Sequence, residues 1–521
     1  MRSRYSALRL PSSPSCSSSQ CLHRPLHTTR LQYSEHAIFS SSLEKTLNAH
    51  RSANRASLIR KVIDDRPPTG IYRPVIPPEH RAGHELSRSQ GLASDGIESQ
   101  PTQASVPIKR MRKRPIPSEN SDASHSRKIL DHQLQFRVDE TRSRPEQQPW
   151  LELMDPMHSP FDATSYLDAE IRALEKYLIP TSSEQKRIDQ ILADVGDLLT
   201  GIVPSPPQVI GSWRNQFALS HSDLDFVVPV PDSDRSVQDI RKPSATRPKM
   251  LTTYHKLLCQ VEHALQQSPS FDGRVDILGN RSPVLTATHH PTGRRLRFYC
   301  GEGPPASIEY IMDYHAEYPS IRPLYATARL ILEAQDSYGR HRSSIGSDAL
   351  VMLLVAFLKM NHGRFRRPDC LGEQLLAFLR TYGTTVDLTT TGVAVDPPSW
   401  FTAASIKDAA LRYASDDIPA HLRGQRSLIN LKRTAAARRN LPAAARLCVQ
   451  DPTNYMNDLG RGCLRTVDLQ QALARAYDRL RDRLHRSETE DQGSSMSILT
   501  HALRANFDEF EALRSRMALA Q

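Results

Sequence analysis

Gly211-Ser212-Trp-Arg-Asn-Gln-Phe-Ala-Leu-Ser-His-Ser-Asp223-Leu224-Asp225-Phe226-Val-Val228 is the stretch on which the fold turns. It reads as a Gly-Ser turn followed by a strand with two carboxylates two residues apart. Side chains alternate across a strand, so Asp223 and Asp225 share one face while Leu224, Phe226 and Val228 share the other, fit for a core. Adjacent carboxylates repel and drift toward protonation unless a cation sits between them. Mg²⁺ is the usual resident, because it takes carboxylate oxygens together with substrate phosphates. Gly211 and Ser212 are expected to lead into a helix whose free N–H groups hold a triphosphate.

The rest of the chain frames this stretch. At 521 residues there is room for several domain-sized units. Thirty-seven prolines and a mean hydropathy of −0.50 point to long segments without a core. A net charge of +11 and a pI near 9.3 favour a polyanionic partner. Seven scattered cysteines without a C-x-x-C argue against both a disulfide framework and a structural zinc site. The longest apolar run, Ala349 to Leu358, is too short to span a bilayer, so no membrane partner is expected.

Residues 1–34 hold five arginines and many serines, with no acid before Glu35, which is the composition of a mitochondrial transit peptide. A basic tail would have the same composition. The cluster from Lys109 to Arg114 offers a competing, nuclear address or a nucleic-acid patch. Residues 35–145, rich in Pro, Ser, Arg and Gln, read as disordered. Helical periodicity begins near Tyr166, stops at Pro180, and restarts at a capping box, Thr181 with Glu184. These helices (165–200) are expected to pack on a central α+β domain (201–310) with strands at 274–277, 284–288 and 295–299. A helical domain (311–485) and one more helix (495–517) follow.

The Gly-Ser, spacer, Asp-x-Asp pattern resembles the catalytic signature of the DNA polymerase β-like nucleotidyltransferase superfamily. Further segments resemble its terminal poly(A)/poly(U) RNA polymerase branch, of the mitochondrial poly(A) polymerase type. They are Tyr318 to Arg329, Ile345-Gly-Ser347-Asp348, Leu371 to Gly383, and Asp451-Pro452 followed by Asn457-Asp458-Leu459-Gly460-Arg461. Together they cover roughly residues 165–485. The resemblance implies a nucleotidyltransferase palm joined to a helical poly(A)-polymerase-associated domain. It implies transfer from a nucleoside triphosphate, ATP in the first instance, to an RNA 3′-hydroxyl. It assigns Asp223 and Asp225 to catalysis and to Mg²⁺ or Mn²⁺, and Gly211, Ser212, Arg329, Ser347 and Asn457 to the nucleotide. A homodimer would also fit this family type.

Departures from the family pattern cluster at the nucleotide. A third carboxylate is expected on a later strand. Counting on from Gly293 puts Arg297 there, and counting back from Pro323 puts Leu296 there. Glu302, Glu309 or Asp313 would have to substitute. Asp348 stands where the family has a stacking Tyr, and Arg329 where it has Lys. An active transferase and a catalytically impaired, polymerase-like RNA binder are therefore both compatible with the sequence.

Overall fold

The computed structural model describes residues 42–52, 134–138, 144–154, 162–230, 248–271, 275–278, 283–305, 307–365, 367, 369–414, 417–489 and 497–519. The chain divides into Met1–Ser41, outside the described residues, and one unit from Ser42 to Gln521. The expected transit peptide and the Lys109–Arg114 cluster thus lie outside the described residues.

The described helices are α1 (residues 42–52), α2 (Ala163–Leu178), α3 (Ser182–Leu199), α4 (Pro248–Gln267), α5 (Ser307–Glu317), α6 (Ile321–Ala334), α7 (Ser347–Met360), α8 (Leu371–Arg380), α9 (Ala403–Ala410), α10 (Ala420–Ala437), α11 (Leu441–Ala444), α12 (Thr466–Thr489), α13 (Leu499–Leu503) and α14 (Asp508–Leu519). The strands are β1 (Gln208–Ile210), β2 (Leu224–Pro229), β3 (Asp276–Leu278), β4 (Val284–His289), β5 (Arg294–Gly301), β6 (Gly392–Val395), β7 (Pro398–Phe401) and β8 (Val449–Gln450).

The expected α+β architecture is present. Five strands form a mixed sheet in the order β1-β2-β5-β4-β3, with β2 parallel to β5 and the other neighbours antiparallel. One face of this sheet is core. Leu224, Phe226, Leu296 and Phe298 are buried there with Ile188, Ile191 and Val195 of α3 and Leu258 and Val261 of α4. Phe226 and Phe298, opposite each other on β2 and β5, stack with ring centroids 4.9 Å apart. The alternation that buries Leu224 and Phe226 presents Asp223 and Asp225 on the other face.

A second and larger core is helical. It takes its apolar side chains from α2, α6, α7, α8 and α12. Helix α7 contributes an unbroken buried run from Ala349 to Leu358, which accounts for the longest apolar stretch in the chain. Among the described residues no helix is long and apolar enough to cross a membrane. The five described cysteines, Cys259, Cys300, Cys370, Cys448 and Cys463, are all free.

The capping box is present: Thr181 Oγ1 accepts from Glu184 N at 3.2 Å, and Glu184 Oε2 accepts from Thr181 N at 2.7 Å. The helices of 165–200 do not act as one layer, however. Helix α2 packs into the helical core through Leu167, Ile171, Leu174 and Leu178, while α3 packs onto the sheet.

Three expectations need correction. Part of the region read as disordered is structured, because Leu43 and Leu47 of α1 are spaced to share a helical face and both enter the helical core, as does Phe136. The helical half also holds a three-stranded sheet, β7-β6-β8. Its strands are at most four residues long, too short for alternation to show. Finally, the terminal helix of 495–517 is two helices. Arg504 adopts a left-handed backbone (φ 45°), and Asn506 Nδ2 donates to Asp508 Oδ2 at 3.0 Å. Phe507 between the helices is buried against Phe136, Trp150 and Tyr177.

Candidate active site

A cleft of about 730 Å³ lies over the free face of β2 and β5. Its walls include Gly211, Ser212, Asp223, Asp225, Arg295, Arg297, Arg329, Ser347 and Asp348. Four of the five residues expected at the nucleotide are thus gathered around the acidic pair.

Gly211 has φ +69°, and a Cβ there would stand 2.8 Å from Asp225 Oδ2. Only glycine accommodates both the left-handed backbone and that approach. The helix expected after it is a single 3-10 turn, Gly211–Trp213, with Ser212 buried inside it. It is too short to offer a helix N-terminus to a triphosphate.

The register decides the chemistry of the pair. Strand β5 runs parallel to β2, with Asp225 opposite Arg297 and Leu224 opposite Leu296. Of the two positions considered for the third carboxylate, Leu296 is core and Arg297 faces the cleft. Arg297 Nε and Nη2 bind Asp225 Oδ1 and Oδ2 at 2.7 and 3.1 Å. Arg295 Nε and Nη2 bind Asp223 Oδ1 and Oδ2 at 3.1 and 3.0 Å. Arg297 Nη2 also lies 3.4 Å from Asp223 Oδ2. Each carboxylate is therefore closed by a bidentate guanidinium fork. Burial alone would raise the Asp223 carboxyl, but Arg295 and Arg297 hold it well below the usual carboxylate range. Burial pushes Asp225 up, against Arg297.

The substitutes for a third carboxylate lie elsewhere. Glu309 Oε2 bonds His50 Nε2 at 2.8 Å, and Asp313 Oδ1 accepts from Ser42 Oγ at 3.3 Å, both toward α1. Glu302, like these two, is absent from the cleft wall. Among the described residues no three His, Cys, Asp or Glu side chains are grouped to hold a metal. Two divalent cations need free carboxylate oxygens and a further acid. The residues present do not fit that centre: the donor oxygens are taken by cations that belong to the chain.

Arg329 reaches the cleft but does not point freely into it. Its Nε donates to Glu333 Oε1 and its Nη1 to Ser222 Oγ, both at 2.8 Å, and Nη2 lies 3.2 Å from His221 Nε2. The guanidinium also covers the Tyr338 ring at 4.9 Å. Glu333, in contact with both Arg329 and His221, is held down to about 2 against its burial. Arg329 is thus a tie between α6 and the turn before β2, and His221 is part of that tie. Ser347 opens α7 and shares a 2.7 Å hydrogen bond with Tyr338 Oη. Asp348 lines the cleft with a carboxyl raised by burial, where a stacking ring was expected.

Asn457 is not on the cleft wall. Its Nδ2 donates to Asp451 Oδ2 at 2.9 Å. The motif around it serves the loop itself. Asp451 Oδ1 accepts from Thr453 N at 2.8 Å and Asn454 N at 3.2 Å, and Asp458 Oδ1 accepts from Val449 N at 3.0 Å and Gly460 N at 2.9 Å.

Sequence reasoning missed Arg295, Arg340, His341 and the wall supplied by α14 through Glu509, Leu513 and Arg516. The signal for Arg295 was present: Arg295, Arg297 and Tyr299 alternate on β5 as Asp223, Asp225 and Val227 do on β2.

No family model matches the chain. Poly(A) RNA polymerase protein 1 of Eremothecium gossypii is 24% identical over 341 residues, covering 64% of this chain and 47% of that protein. Poly(A) RNA polymerase cid14 of Schizosaccharomyces pombe is 20% identical over 401 residues, covering 75% and 52% respectively. The chain spans about half the length of the curated relatives it matches. The polymerase core of TRAMP, an RNA surveillance complex, superposes with a TM-score of 0.54 at 18% identity, over 68% of this chain and 99% of that one. In sequence the chain is similar to these poly(A) RNA polymerases, and its fold is that of the TRAMP polymerase core, as the resemblance to the DNA polymerase β-like nucleotidyltransferases implied. The five-stranded sheet corresponds to the palm of that fold, with Asp223 just before β2 and Asp225 on it, both lining the cleft.

Proposed function

We propose that this chain acts at RNA 3′ ends as a terminal-nucleotidyltransferase scaffold whose acidic pair is closed by arginines. In that state it holds RNA and nucleoside triphosphate without metal-dependent transfer. The observation that carries this reading is the pair of bidentate forks, Arg295 on Asp223 and Arg297 on Asp225, with Arg297 at the strand position where a third carboxylate would stand. A carboxylate closed in this way resists losing its guanidinium, because the charge left behind would be uncompensated. The poly(A) RNA polymerases among its relatives support RNA as the partner, as does the +11 net charge. The composition of residues 1–34 supports a mitochondrial address for this role.

A second reading is favoured by one observation: Asp223 and Asp225 are both present and both face the cleft with Ser347. It is template-independent transfer from a nucleoside triphosphate, ATP first, to an RNA 3′-hydroxyl with Mg²⁺ or Mn²⁺. It requires both arginines to leave the carboxylates.

Primer extension on a short RNA, with each nucleotide separately and with Mg²⁺ or Mn²⁺, separates the two. The proposal expects RNA binding by anisotropy, no extension by the wild type, and no change in the Asp223→Ala, Asp225→Ala double variant. Extension that disappears in the double variant overturns it in favour of the second reading.

A further inference from the structure

Between Ile418 and Gln450 the chain has no acidic residue, yet it carries Arg423, Arg426, Lys432, Arg433, Arg438, Arg439 and Arg446. Helix α10 sorts these charges. Arg423, Arg426, Asn430 and Arg433 recur at intervals of three and four, so they lie on one helical face, and all four are exposed. The opposite side is anchored. Leu422 is buried, Leu428 and Ile429 pack with Ala394, Phe401, Ile406 and Cys448, and Lys432 turns inward to donate to Arg446 O at 2.6 Å. Arg438 and Arg439 continue the charge beyond the helix, both exposed. Among the described residues, Arg423, Arg426 and Arg433 have no ion pair. At 1.5 Å per residue the three arginines of the helix span ~15 Å.

The near end of this face abuts the Asp451–Arg461 loop. Gln450 Nε2 donates to His421 O at 2.9 Å and to Tyr455 O at 3.0 Å. A Cβ on Gly424 would meet Tyr455 O at 2.2 Å, so the helix lies directly on the loop backbone.

We propose that the arginine face of α10 is a phosphate-binding track for single-stranded RNA, outside the cleft and separate from the nucleotide position. This rests on the reading that RNA is the partner. Three long cations at helical spacing, with no acid on their own helix, match the one feature common to every RNA sequence, its backbone charge. A membrane surface fits less well, because the apolar side of α10 is spent on the protein core and leaves no face to enter lipid.

The test is anisotropy of the full chain with an 8-nucleotide and a 30-nucleotide RNA at salt concentrations from 50 to 200 mM. The variant is Arg423→Gln, Arg426→Gln, Arg433→Gln, with the Lys triple as its charge-conserving partner. For single strands each phosphate contact contributes about 0.7 to the slope of log K against log salt. Loss of three contacts lowers the slope for the long RNA by about 2. Wild-type affinity should then fall about 20-fold more than the variant's over that range. The short RNA should be unaffected, and the Lys triple should restore the wild-type slope. If the wild type binds the long RNA and the Gln triple keeps its slope, the track is overturned while the RNA reading stands. An equal loss on the short RNA places these contacts in the cleft and also overturns it. Unchanged RNA binding with lost sedimentation on phosphatidylglycerol vesicles assigns the face to a membrane instead. A wild type that binds neither RNA removes both the track and the reading beneath it.

Discussion

Replacing Arg297 with Asp converts the closed centre into the arrangement its position in the sheet would otherwise imply. The substitution removes the bidentate fork on Asp225 and the 3.4 Å contact to Asp223, and it places a third carboxylate beside two whose side chains are only about 15% exposed. Breaking a buried pair by removing one partner costs about 3–5 kcal/mol. At about 2.1 cal/mol/K of unfolding entropy per residue, a unit of this size would melt lower by roughly 3–6 °C. The three acids then form a cation site that the wild type lacks. At Mn²⁺ one hundred-fold above its Kd, about 2.7 kcal/mol should return. Differential scanning fluorimetry with a Mn²⁺ titration reads both effects. The wild-type melting temperature should not respond to Mn²⁺, and Arg297→Asp should melt lower and rise with Mn²⁺. Adding Asp225→Asn should abolish that rise. A wild type stabilised by Mn²⁺ as much as the variant would refute the reasoning, because the arginines would then leave the carboxylates readily.

Gly211→Ala should destabilise the palm by about 1–2 kcal/mol through its left-handed backbone alone, with a further cost from pushing Asp225 aside; an unchanged urea midpoint would contradict the φ of +69°. Glu170 is buried, and burial pushes its carboxyl up to about 7, while its Oε2 accepts from Ile498 N at 2.9 Å and Leu499 N at 2.8 Å. A folded value above the unfolded one means that the neutral form is favoured in the fold, so stability present below pH 4.5 is lost as pH rises through 7, by ~3 kcal/mol. Glu170→Gln keeps the acceptor oxygen and should flatten that pH profile in chemical denaturation, with its advantage over the wild type appearing at pH 8 and absent at pH 4. Asp451→Ala should cost about 1–3 kcal/mol by orphaning the N–H groups of Thr453 and Asn454, read as faster hydrogen exchange across the loop and unchanged exchange in the palm.

Legibility in the sequence followed the range of each signal. The capping box at Thr181 and Glu184 is a local rule with a local partner, and it folds as read. The alternation of β2 likewise placed Leu224 and Phe226 in the core and the two aspartates opposite. The fork partners were only half legible. Counting left Arg297 and Leu296 as alternatives for the place of an acid; which of them faces the cleft, and the bidentate closure, depend on β5 lying parallel to β2 in one register, which is a tertiary fact. Arg329 was set at the nucleotide by the resemblance alone; its Nε goes to Glu333, one helical turn on and readable as an i,i+4 pair, and its Nη1 to Ser222, a neighbour only in the fold. The β6–β7 hairpin and the break at Arg504 escaped because four-residue strands and a single left-handed residue leave no periodicity to detect.

Helix α1 is joined to the body at several separate points. Arg51 bonds Asp396 and donates to Pro452 O at 3.0 Å, His50 reaches Glu309, and Leu43 and Leu47 enter the helical core. The described stretches on either side, 42–52 and 134–138, thus attach to the same body, since Phe136 is buried in that core too. Loss of residues 1–34 would spare every one of these attachments. A cut between 53 and 133 would also leave α1 in place, yielding two polypeptides that elute together under native conditions and separate only in denaturant.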